Sequence, residues 1–169
     1  MEKTLTRHVP AQLATLAGFW LTLSANGLLP WREDFTPRAL KPWLGNLALL
    51  EPVAEAGYRF RLCGSYLSQR FGSDATGKQL ADLPIPLQAD LRDRLGRARA
   101  LQAPVLACVR VHHGDETVEF CDLILPLSSR EAPAYLLLLA SYPFAQTTEV
   151  SGPLSAAGRT WTHREGAFP

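Results

Sequence analysis

Asp122 carries the clearest chemical potential in this chain of 169 residues, because it stands between Cys121 and Leu123 in a strongly apolar stretch. Desolvation there would raise the pKa of a carboxyl group and turn it into a general base. The competing reading is an acid at a sheet edge or one held by hydrogen bonds. General acid–base chemistry would want a second carboxylate in the same apolar pocket, and none stands at a telling spacing. Cys108 and His112 lie four apart on an expected strand and so share a face. With Cys63 and Cys121 on neighbouring strands they would form a four-ligand zinc set. The close cysteine pairs of structural zinc sites are missing, so no metal is assigned. Haem wants an axial histidine. His8 is in the N-terminal arm, His163 is near the C-terminal end, and His112-His113 opens a hairpin turn. Cys63 ends a strand, which does not suit a flavin-reactive thiol. Nothing resembles a nucleophile elbow. No catalytic residue is assigned, the chain is expected not to be an enzyme, and no cofactor is named.

The elements that must position these residues follow from periodicity. Ala11 to Ala25 reads as a helix with Pro10 ahead of it and an apolar stripe of Leu13, Leu16, Trp20 and Leu23. Asn26-Gly27 ends it. Thr36-Pro37 opens a short helix that carries Leu40, Trp43 and Leu44. Leu47 to Val53 and Tyr58 to Cys63 read as paired strands joined at Glu55-Ala56-Gly57. A short helix, Tyr66 to Phe71, and a longer one, Pro86 to Leu101, come next. Three strands follow: Pro104 to His112, Thr117 to Leu127 and Pro133 to Tyr142. The order predicts an α+β fold: a five-stranded antiparallel sheet with helices on one face and an N-terminal helix. Residues 1–27 form the N-terminal helix unit and 28–144 the sheet domain. Residues 145–169, rich in Ser, Thr, Gly and Pro, are expected to be a flexible tail.

Several ordered motifs sharpen this. They begin at Phe19-Trp20 and run through Leu29-Pro30-Trp31-Arg32-Glu33-Asp34-Phe35-Thr36-Pro37, with Leu40 and Leu44 behind. They continue in Phe60-Arg61-Leu62-Cys63-Gly64-Ser65, Phe71-Gly72, Thr76-Gly77, Leu80 and Leu83. They end at Leu125-Pro126-Leu127-Ser128. On these residues, about four fifths of its length, the chain resembles a family of proteobacterial PAS-like proteins. The resemblance implies a regulatory or sensory role in signalling. It names no ligand, and output would have to pass through another protein.

Within that fold the motif residues have structural readings. Gly64, Gly72 and Gly77 suit positive φ or close backbone approach, and their spacing fits no phosphate-binding loop. Arg32 and Asp34 would fix the segment after the first helix. Arg61 would be a solvated edge residue or pair with a carboxylate such as Asp34 or Glu119, and the other reading of these residues is ligand binding. A ligand pocket would be lined by Phe60 and Leu62 from the sheet and by Tyr66, Leu67, Phe71, Leu80, Leu83, Leu87 and Leu91 from the helical layer. The other reading of those nine residues is a filled core. The stripe Leu13, Leu16, Trp20 and Leu23 would dimerise the chain or pack on its own sheet.

Composition narrows the partners. The formal net charge is +1, which gives no field for nucleic acid or anionic lipid. No run is long enough to cross a bilayer and no secretory signal is visible. Three cysteines without paired spacing suit a reducing compartment, so a cytoplasmic protein is expected. The leading expectation is a stand-alone bacterial sensory domain: a homodimer that binds a small-molecule ligand, a signalling protein partner, or both. The alternatives are a small cone-shaped isomerase-like enzyme using Asp122 as base, and a ligand-free dimerisation or adaptor module.

Overall fold

The structure, a computed structural model, describes residues 9–25, 27–54, 57–83, 85–113, 116–143 and 161–167; in 85–87, 109–118 and 161–167 the description is limited to the backbone. Helix α1 (Ala11–Leu23) starts directly after Pro10. A 3₁₀ turn (Arg32–Asp34) leads to α2 (Pro37–Leu40), where Thr36 Oγ1 accepts from Ala39 N–H at 3.2 Å and Pro37 takes the first turn. A second 3₁₀ segment, Lys41–Asn46, delivers the chain to the sheet. Strands β1 (Leu47–Val53) and β2 (Gly57–Cys63) are followed by α3 (Ser65–Phe71), a 3₁₀ turn at Leu80–Asp82 and α4 (Ile85–Leu101). Strands β3 (Val105–His113), β4 (Glu116–Ser128) and β5 (Tyr135–Pro143) complete the five expected strands.

These five strands are antiparallel, in the order β2-β1-β5-β4-β3. A sixth strand, β6 (Trp161–Ala167), runs parallel to β3 along its outer edge. Within the expected flexible tail, these seven residues form a strand. The free edge of β3 offers unpaired backbone groups, and Trp161-Thr162 has high β propensity. Residues 144–160 lie outside the described part.

The central strands β1, β5 and β4 are buried on both faces over most of their described length. Leu123, Leu125, Leu127, Leu136 and Leu138 point to the face covered by α1 and the 32–46 segment. Ile124, Leu137 and Leu139 point to the face covered by α3 and α4. That second layer is the expected helical cover. The first makes α1 an integral part of the core. Leu13 and Leu16 are fully buried against the chain's own sheet. Trp20 is buried too, and its indole N–H donates to the Pro126 carbonyl at 2.9 Å. Leu23 is half-buried at the edge of the same cluster. The expected dimerisation stripe is thus covered within one chain, because the face of β4 and β5 beneath it is as apolar as the stripe itself.

Two glycines bound α3. A Cβ on Gly64 would come within 2.5 Å of the carbonyl oxygens of Leu44 and Gly45, so any side chain there collides with backbone. Gly72 closes α3 with φ +82°, in the left-handed region.

Candidate functional site

Asp122 sits on β4 facing α3 and α4, directly opposite Ser141 of β5. Its side chain is completely buried. Arg70, one residue before the end of α3, reaches it with Nη1 at 2.9 Å from Oδ1 and also donates to Ser141 Oγ. Arg94 of α4 brings Nη1 to 2.7 Å from Oδ2 and pairs with Asp90, one helical turn earlier, at 2.8 Å. The Arg70 guanidinium lies 3.4 Å from the Phe120 ring centroid, a cation–π stack on the same strand. Asn46 ties the end of this network to the sheet by donating to the Ser141 carbonyl at 2.8 Å.

The electrostatics follow from this geometry. Burial pushes the Asp122 pKa up, but the charges of Arg70 and Arg94, with hydrogen bonds from Arg70 and Ser141, outweigh it and hold the group down at about 2. Burial likewise works against the Arg94 charge, and Asp122 with Asp90 raise its pKa in spite of it. Asp122 is therefore a locked counterion. A carboxylate in a closed pair with two guanidiniums has neither the basicity nor the access that a general base needs, which overturns its reading as an isomerase-type base.

The side chains expected to line a pocket under the helices pack on one another. Phe60, Leu67, Phe71, Leu80, Leu83 and Leu91 are buried in one cluster, and Phe60 meets Phe71 edge-on at 5.7 Å. Tyr66 is half-buried, and the side chain of Leu87 lies outside the described part. Leu62 is a correction. Simple alternation places it beside Phe60, but the register runs Leu50↔Phe60 and Leu49↔Leu62, leaving Arg61 as an extra residue in a β-bulge. The bulge turns Leu62 to the opposite sheet face, where it is 45% exposed.

On that opposite face Leu62 borders an open cleft of about 370 Å³. Its walls are Arg32, Glu33, Arg61, Ser129 and Glu131, over a floor of Leu49, Leu62 and Leu136. A smaller apolar recess of about 60 Å³ adjoins it across Arg32, Leu49 and Leu62 and extends under Leu44, Leu47 and Leu138. The segment that holds Arg32 is fixed by Glu33, whose Oε1 accepts from Ser129 Oγ at 3.0 Å and Arg130 N–H at 3.1 Å. Backbone pairing of Ser128 N–H to the Pro30 carbonyl at 2.9 Å adds to it. Arg32 and Asp34 do not do this work: Asp34 is exposed and Arg32 turns to the cleft. Arg61 approaches Glu51, at 3.8 Å, instead of the expected Asp34 or Glu119. Glu51 is engaged more closely by Arg59, whose Nε lies at 2.6 Å.

The cysteines also depart from expectation. Register places Cys108 opposite Cys121, and a disulfide joins them. The expectation of three free thiols falls, and with it the cysteine argument for a reducing compartment. A bonded pair offers zinc no thiolates. Among the described residues no group of three or more His, Cys, Asp or Glu side chains could hold a metal. The side chains of His112, His113 and His163, and all of His8, lie outside the described part. Cys63 is free and half-buried. No helix among the described residues is long and apolar enough to cross a membrane.

Arg70, Arg94 and Glu33 were not singled out from sequence. A signal existed for the two arginines. Arg94 falls on the Leu91, Leu95, Ala98 stripe of α4, and Arg70 is three residues after Leu67. A cation on a buried helix face implies an acid opposite, and Asp122 is the acid on the apolar strand.

Comparison with known proteins adds one finding. The family model described as PAS domain matches residues 8–139, from just before α1 to the middle of β5. No curated protein matches the chain.

Proposed function

Since the chain belongs to the PAS domain family, we propose that it is a sensory module of a signalling system. In this reading it takes up a small molecule in the open cleft beside Arg32 and Arg61 and passes its state to a protein partner. The carrying observation is where space is found among the described residues. The interior under α3 and α4 is occupied by the Phe60–Phe71 cluster and the Arg70–Asp122–Arg94 network. The cleft on the other face has a volume within the range of small-molecule sites. In this reading the module works without catalysis, with Asp122 locked between two guanidiniums.

Native mass spectrometry of the intact chain, purified without denaturation, tests this reading. The expected result is a reproducible added mass that disappears in the Arg32→Gln/Arg61→Gln double variant. A bare chain mass, or an added mass that survives in the double variant, would count against the cleft as the input site.

A further inference from the structure

The cleft is lined by charge of both signs. Arg32 has no carboxylate partner among the described residues, and Arg61 has only the distant Glu51, already held by Arg59. Two cations therefore reach the cleft without close compensation. The same cleft is also lined by Glu131, exposed on the 129–134 turn, and by Glu33, fixed by Ser129 and Arg130. A simple organic anion would satisfy the arginines and meet two carboxylates. A simple amine would do the reverse. Between the charged walls lies the leucine floor, and the recess beside it is apolar throughout except for Arg32.

We propose that this cleft binds a free α-amino acid with an aliphatic side chain. The carboxylate lies toward Arg32 and Arg61, the ammonium toward the exposed Glu131, and the side chain rests on Leu49 and Leu62 at the mouth of the recess. This assignment rests on the reading of the cleft as the input site and gives that site its ligand class. Charge-assisted hydrogen bonds at both ends supply the selectivity, and a ligand lacking either charge leaves groups of the opposite sign unanswered.

Isothermal titration of the intact chain with three probes tests the assignment: L-leucine, 4-methylpentanoate, which lacks the ammonium, and 3-methylbutylamine, which lacks the carboxylate. L-Leucine should bind saturably, with each single-charge analogue weaker by about tenfold or more. Arg61→Gln and Glu131→Gln, both at exposed positions, should each weaken L-leucine by a similar factor while the urea midpoint stays put. Equal binding of 4-methylpentanoate and L-leucine would overturn the zwitterion assignment. So would no heat from any probe, or full L-leucine affinity in either variant. An added mass in native spectra that depends on Arg32 and Arg61, with no L-leucine binding, would remove the ligand class and leave the input site standing.

Discussion

Replacing Asp122 with Asn tests the buried network most sharply. The substitution keeps the shape of the side chain and removes the charge. The carboxylate has no exposed surface, and the side chains of Arg70 and Arg94 are only 13% and 8% exposed, so water cannot replace the lost counterion. Removing one partner of a buried ion pair costs about 3–5 kcal/mol. Asn still offers one acceptor oxygen, which places the expected loss near the lower end. With a urea m-value of about 2 kcal/mol/M, a loss of about 3 kcal/mol lowers the midpoint by about 1.5 M. The pH dependence gives an independent reading. The folded Asp122 pKa is depressed to about 2, against about 3.9 in the unfolded chain. The stabilisation is therefore complete above about pH 5 and is lost as the pH falls through 4 toward 2, roughly 2.5 kcal/mol in all. Wild type should show that acid limb, and Asp122→Asn should lack this part of it. Equilibrium urea unfolding from pH 7 to pH 2.5 measures both. A midpoint shift under about 0.3 M at pH 7, or an unchanged acid limb, would refute the reasoning. The triple variant Asp122→Leu, Arg70→Leu, Arg94→Met should recover most of the loss, since apolar groups can replace a buried ionic cluster.

Other substitutions probe the rest of the fold. Leu16→Glu should lower the urea midpoint steeply or prevent folding, and light scattering on whatever folds should show no change specific to self-association, because Leu16 faces the chain's own sheet. Gly64→Ala should destabilise by roughly 2–4 kcal/mol in the same assay, as its Cβ meets two backbone carbonyls. Paired Cys108→Ser and Cys121→Ser should cost about 2–3 kcal/mol, the scale for a cross-link spanning 13 residues. Thiol titration of unreduced wild type in denaturant should find one free sulfhydryl, that of Cys63.

The strands were legible because local chemistry fixes them. Leu47–Val53 and the β2 alternation lie between turn residues, and their limits match the structure closely. The burial of β4 and β5 on both faces was also written in the uninterrupted runs Leu123–Leu125 and Leu136–Leu139, since a half-exposed strand would alternate. What alternation cannot reveal is a bulge. The extra residue at Arg61 turns Leu62 to the other face, where it borders the open cleft. The Cys108–Cys121 bond depends on strand register, which spacing alone leaves undetermined. The network escaped because its members are distant in the chain: Arg70 and Arg94 are 52 and 28 residues from Asp122. Asp122 was noticed as an acid in an apolar strand. Its meaning reversed once two cations were found beside it.

Methyl NMR under xenon pressure asks most directly whether the open space lies on the α1 face of the sheet, since xenon enters apolar voids and shifts the methyl groups that line them. Saturable shifts should appear at Leu49, Leu62 and Leu138 around the cleft and its recess, with Leu67, Leu80, Leu91 and Leu95 unmoved. Shifts concentrated in the second group would mean that the layer under α3 and α4 is hollow, and the site would then have to be sought there.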